Sequence, residues 1–128
     1  MKALFPLILM ACAVTAHAAP ARADIPSCRL DEQRAVKGDT GGAITDPLQA
    51  HVSVRVNVLQ ADIGNARKAR RLSQRQADTL WRRADRVRRD TDRFVKRQGF
   101  LSAAERASYD RELDGIAATV CGMQQHTH

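Results

Sequence analysis

From Leu48 to Val120 the apolar residues of this chain recur at steps of three and four, with polar residues filling the positions between them. Ala77, Leu80, Ala84, Val87, Thr91 and Phe94 fall on one side of a helix, and so do Tyr109, Leu113, Ile116 and Val120. Each of these stretches opens on the same local signal. In Leu72-Ser73-Gln74-Arg75-Gln76 and Leu101-Ser102-Ala103-Ala104-Glu105, a Ser hydroxyl can accept from the backbone N–H three residues on, while Gln76 or Glu105 reaches back to the Ser amide. Gly99, in Gln98-Gly99-Phe100, stands where a helix commonly ends in a left-handed residue. The pattern predicts an α-hairpin: one helix from Ser73 to about Arg97, a second following Ser102 as far as Cys121 and Gly122.

Upstream, Thr45-Asp46-Pro47 reads as another helix start, with Asp46 as the cap and Pro47 at the first position, where its missing N–H costs nothing. The next residues carry two periods at once. Val52, Val54, Val56 and Val58 alternate as a half-buried strand does, yet Leu48, Val52, Val56, Leu59, Ile63 and Ala66 share a helical face. A lone strand with no second strand to pair with leaves its backbone groups unsatisfied, so the expectation is helix to about Arg70. Val54 and Val58 then point off the main face, either to cover the Cys28 segment or to form an exposed patch. Nearer the N-terminus, Ile25-Pro26-Ser27-Cys28 predicts a short helix capped by Ser27, with Asp31 and Glu32 in its first turns, ending by about Lys37. Gly38-Asp39-Thr40-Gly41-Gly42 reads as a flexible connector. The fold class expected is all-α: an antiparallel bundle of three long helices of about 24, 25 and 19 residues plus a short N-terminal helix.

At 128 residues the chain holds one domain at most. Met1-Lys2 and the apolar run from Ala3 to Val14 read as a secretory leader, far short of the roughly 20 residues that span a bilayer. Cleavage is expected after Ala18 or Ala23, with the second preferred because Asp24 opens a stretch of different character. Lipidation at Cys12, within Leu9-Met10-Ala11-Cys12, is the rival. The organisation that follows is a leader over 1–23, a short helix and Gly-rich loop over 24–46, the bundle over 47–122 and a polar tail over 123–128. Loss of the leader leaves Cys28 and Cys121, an even pair near the two ends, and export makes a structural disulfide between them the simplest expectation.

Charge changes the picture most. The net charge of +7 becomes +5 without Lys2 and Arg22, but between Arg67 and Arg97 there are 13 Lys or Arg against four Asp. Arg75, Arg82, Arg86, Arg89, Arg93 and Arg97 form a stripe opposite the Leu80/Val87/Phe94 face. Asp78 with Arg82, Asp85 with Arg89 and Asp92 with Lys96 are spaced for helical ion pairs of about 0.2 to 0.5 kcal/mol each, too few to neutralise the stripe. Such a ridge is either a solvated face or a contact for phosphate-bearing polymers and anionic lipid head groups. One Trp, one Tyr and three Phe provide too few aromatics for a base-stacking surface, so no specific nucleic acid is expected as a partner.

Catalytic and cofactor signals are not found. No Gly-x-Ser-x-Gly, His-Glu-x-x-His, phosphate-cradling loop or calcium-loop ligand series occurs. His126-Thr127-His128 with His51 falls short of a tetrahedral metal site. Trp81 sits at the edge of an apolar face, as packing or as a contact anchor. The chain is therefore expected to be no enzyme and to need no cofactor or metal. Its expected partner is another protein or an envelope polyanion, and the mature chain should have no transmembrane segment.

Leu72-Ser73-x-x-Gln76-Ala77-x-x-Leu80 and Gly99-x-Leu101-Ser102-x-x-Glu105-Arg106 resemble the repeated helix openings of small exported helical proteins of Gram-negative bacteria without an assigned activity. They are also similar to the Leu-Thr-x-x-Gln motif of the periplasmic Spy and CpxP stress chaperones, with Ser for Thr in both copies and Glu for Gln in the second. The resemblance covers roughly Leu59 to Val120. It implies a periplasmic helical protein and, as the alternative to a polyanion-binding role, a holdase whose cradle is built by a dimer.

Overall fold

The computed structural model describes residues 25–123; the expected leader, the rival lipidation position Cys12 and the His126-Thr127-His128 tail lie outside them. Four α-helices follow a 3-10 turn at Pro26–Cys28: α1 (Leu30–Ala35), α2 (Pro47–Lys68), α3 (Gln74–Gln98) and α4 (Ala103–Met123). Short turns send α3 back along α2 and α4 back along α3, and α2 packs against both. Among the described residues no helix is long and apolar enough to cross a membrane.

Local chemistry places the ends of the long helices as expected. The Asp46 carboxylate accepts from the Gln49 amide at 2.9 Å at the start of α2. Ser73 Oγ accepts from the Gln76 amide at 3.1 Å while the Gln76 side chain accepts from the Ser73 amide at 2.8 Å. Ser102 and Glu105 repeat that reciprocal pair at 3.1 and 2.8 Å. Gly99 closes α3 in the left-handed region at φ 88°.

The core lies between the three long helices. Val52, Val56, Leu59, Ile63 and Ala66 of α2 meet Ala77, Leu80, Ala84 and Val87 of α3 and Leu113, Ile116, Ala117 and Val120 of α4. Val52 to Val58 is helical throughout, and Val54 and Val58 are half-buried. The Phe94 ring meets Tyr109 edge-on at 6.4 Å, bridging α3 and α4 where the core thins toward the α3–α4 turn.

Two expectations for the N-terminal segment are corrected. Ser27 does not cap a helix: it is buried inside the 3-10 turn, its amide donating to the Asp62 carboxylate of α2 at 2.8 Å. The chain then breaks at Arg29, and α1 ends at Ala35. The carboxylate on α2 thus overrides the local cap by holding the turn that carries Cys28. The connector after α1 is not simply slack, because Gly38 lies against α2 so closely that a Cβ there would stand 2.2 Å from the Ala50 carbonyl oxygen. A disulfide joins Cys28 to Cys121, with Cα atoms 6.0 Å apart across 93 positions of sequence.

Candidate functional site

All six arginines of the predicted stripe, Arg75, Arg82, Arg86, Arg89, Arg93 and Arg97, are exposed along the outer side of α3. The face is outward because α3 presents its apolar stripe to α2 and α4, leaving its strongly basic side to water. Of the three helical pairs expected, Asp85–Arg89 forms. Asp78 instead accepts from Gln74 Nε2 at 2.7 Å, and Asp92 is drawn toward α2 by Gln49 Nε2 at 2.9 Å. Arg93 pairs with Asp90, and the Arg97 guanidinium stands 5.0 Å over the Phe94 ring. Arg75, Arg82, Arg86 and Arg97 make no ion pair among the described residues.

Basic residues on the flanks of α3 serve the bundle instead. Arg83 pairs with Glu112 of α4 at 3.1 Å, and Arg88 donates to the side-chain oxygens of Asn57 and Gln60 on α2. The 13 cations therefore divide by position: some tie helices together, some crowd the α2–α3 turn, and the ridge alone faces outward along the whole helix.

A second concentration of charge is buried between α2 and α4. Arg55, only 3% exposed, reaches across with both terminal nitrogens, Nη1 to Asp110 at 2.6 Å and Nη2 to Asp114 at 2.7 Å. His51, one turn earlier, meets the Val36 carbonyl through Nδ1 at 2.6 Å and Asp110 through Nε2 at 2.8 Å. Arg106 stands 2.8 Å from the other oxygen of Asp110, and Arg34 of α1 donates to Asp114 from Nε at 3.0 Å. The i, i+4 spacing of His51 and Arg55 on α2 matches that of Arg106, Asp110 and Asp114 on α4, so the side chains close like a zip. Burial pushes the Asp110 carboxyl up, but the hydrogen bonds from His51 and Arg55 outweigh it and hold the group below its ordinary range.

The open side of this network is a cleft of about 490 Å³ lined by Arg34, Val36, Lys37, Pro47, His51 and Arg106. His51 is 4% exposed and both its nitrogens are taken, so it offers no free lone pair or proton to a molecule in the cleft. The network acts as a clamp between α1, α2 and α4. On α4, Asp110 and Asp114 alternate with Glu105, Arg106, Arg111 and Glu112, a mixed polar set whose charges could partner the basic helix. Glu112 takes that role, and the two aspartates turn to α2. The overlooked signal was on α2, where His51 and Arg55 interrupt an apolar helix at four-residue spacing beside Val52 and Val56.

Compared with family models, curated proteins and solved structures, the chain matches none of them. Its fold and its surface define a small, disulfide-closed helical bundle with one strongly basic face.

Proposed function

We propose that this is an exported, non-enzymatic binding protein, periplasmic or secreted, that contacts envelope polyanions through the Arg75 to Arg97 face of α3. The observation that carries the reading is the outward exposure of all six arginines, four of which, Arg75, Arg82, Arg86 and Arg97, have no ion-pair partner among the described residues. The pairs made by Arg89 and Arg93 are exposed and within one helix, hence weak enough for a multivalent anion to displace. The Cys28–Cys121 bond supports export, since disulfides persist in oxidising compartments. The saturated hydrogen bonding of His51 supports a role without catalysis.

Heparin and lipopolysaccharide should bind with an affinity that falls steeply as salt rises, because each neutralised anionic group releases a counterion. Reversing Arg82, Arg86 and Arg89 to Glu should abolish that binding while the helical circular-dichroism signal is retained, the lost Asp85–Arg89 pair and the new like charges lowering the melting temperature only slightly. Binding that ignores salt, or that survives the triple reversal, removes this reading.

A stress holdase of the Spy/CpxP type is the alternative, favoured by the Leu-Ser-x-x-Gln resemblance and by the exposure of Trp81 (44%) and Phe100 (54%). Trp81 lies roughly 26 Å from the end of α3 at 1.5 Å per residue and Phe100 follows that end, so a single copy offers them as two points, and a dimer would be needed to make a cradle. Suppression of aggregation of an unfolded client, lost in Trp81→Ala, is its expected signature; a client that aggregates unhindered discards it.

A further inference from the structure

Where α2 ends and α3 begins, the sequence from Ile63 to Ala77 contains five cations, Arg67, Lys68, Arg70, Arg71 and Arg75, and no Asp or Glu. The chain reverses here, and Arg67, Lys68, Arg70 and Arg71 line a recess of about 530 Å³ together with residues of the first turn of α3. None of the five cationic side chains has an ion-pair partner among the described residues. Arg71 Nη1 is shut off from solvent and has no acceptor, a donor left unused inside the protein.

Ordinary helix electrostatics explain only part of this cluster. Arg67 and Lys68 occupy the last turn of α2, where cations offset the carbonyl end of the helix dipole. Arg70, Arg71 and Arg75 are on the other side of the balance, beside the positive pole of α3, whose first turn holds no acidic residue. Arg70 also adopts φ 60°, a left-handed conformation that strains an arginine and would suit a glycine. Backbone strain, like charges and a helix pole thus add up at one point with no acidic partner among the described residues. The guanidinium forks are suited to phosphate oxygens, and the recess has room for more than a single phosphate.

We propose that the recess at the α2–α3 turn binds a compact multivalent phosphate group, a diphosphate or phosphomonoester, held by Arg67, Arg70 and Arg71. Apart from Arg75 these residues precede the ridge, so this site and the ridge stand or fall separately.

The test uses the oxidised full chain and inorganic pyrophosphate. Pyrophosphate should raise the melting temperature saturably, beyond sodium chloride of equal ionic strength, and move the backbone amide signals of Arg70 to Gln76. Arg70→Gly relieves the backbone strain, so without ligand it should melt no lower than wild type, yet bind pyrophosphate roughly tenfold more weakly or worse, the loss expected for a charge-assisted hydrogen bond. Arg71→Gln should lose a similar factor. The Arg82/Arg86/Arg89 reversal should retain pyrophosphate binding, whatever becomes of its heparin binding. Vesicles containing phosphatidic acid identify the source: recruitment that pyrophosphate competes away indicates a lipid head group, whereas pyrophosphate binding without recruitment indicates a soluble ligand. Both outcomes support the site. A pyrophosphate response no larger than that of chloride, or wild-type affinity in both Arg70→Gly and Arg71→Gln, overturns it.

Discussion

Arg55 is the side chain on which the buried charge of this molecule converges. It is held by two aspartates one turn apart on a neighbouring helix, and each aspartate has a further cationic partner, Arg106 for Asp110 and Arg34 for Asp114. Replacing Arg55 with Met should cost about 3 to 5 kcal/mol in urea unfolding, the range for stripping one partner from a buried pair. Combining it with Asp110→Asn should cost less than the sum of the single changes, because part of each penalty is the charge left behind. The chain itself shows only the four-residue spacing of His51 and Arg55 beside Val52 and Val56, not what the two side chains meet. Aspartates spaced i, i+4 on a helix rich in Glu and Arg look solvated, and only the facing helix, far away in sequence, turns them inward. Asp62 escaped notice for the same reason: its partner is a backbone amide 35 positions away.

At the scale of single elements the sequence was far more informative, because the governing contacts are local. Both capping boxes, the Asp46-Pro47 start and the left-handed Gly99 stop are decided within four residues of themselves, and all form. Ser73→Ala should therefore lower stability by about 1 kcal/mol, read from the urea midpoint at unchanged slope, and Ser102→Ala should do likewise. The double period over Val52 to Val58 was resolved by asking what a strand would pair with. Where element-scale reading failed, at Ser27, a distant carboxylate holds the Ser27 amide inside the 3-10 turn, and the hydroxyl that a cap would have used is buried without a partner. The ridge was legible as a stripe because helical spacing alone aligns it, whereas the fate of its individual pairs was not. Two of the three expected acids had better partners, one of them on another helix.

For the molecule as a whole, acid should be the sensitive direction. Asp110, faced by His51 and Arg55 from α2 and Arg106 on its own helix, is held below its ordinary range, and Glu105 is lowered by the Ser102 amide. A carboxyl depressed in the folded state gives stability that is whole above its unfolded value and drains as pH falls through the folded one. Urea midpoints should hold steady from neutrality to about pH 5 and then drop, and Asp110→Asn should flatten the drop; an identical slope in the variant would remove Asp110 as its source. The sulfur link contributes on a larger scale, about 4 to 5 kcal/mol in the chain-entropy model for a loop of this length. It was legible as an even pair of cysteines, while its placement beside the Asp62-anchored turn was not. Its topology has one more result. Because the bridge encloses everything between Cys28 and Cys121, a protease nick in the exposed Asp39-Thr40-Gly41-Gly42 segment leaves both fragments covalently attached. Clipped protein would migrate as a single species until a reducing agent parted the pieces.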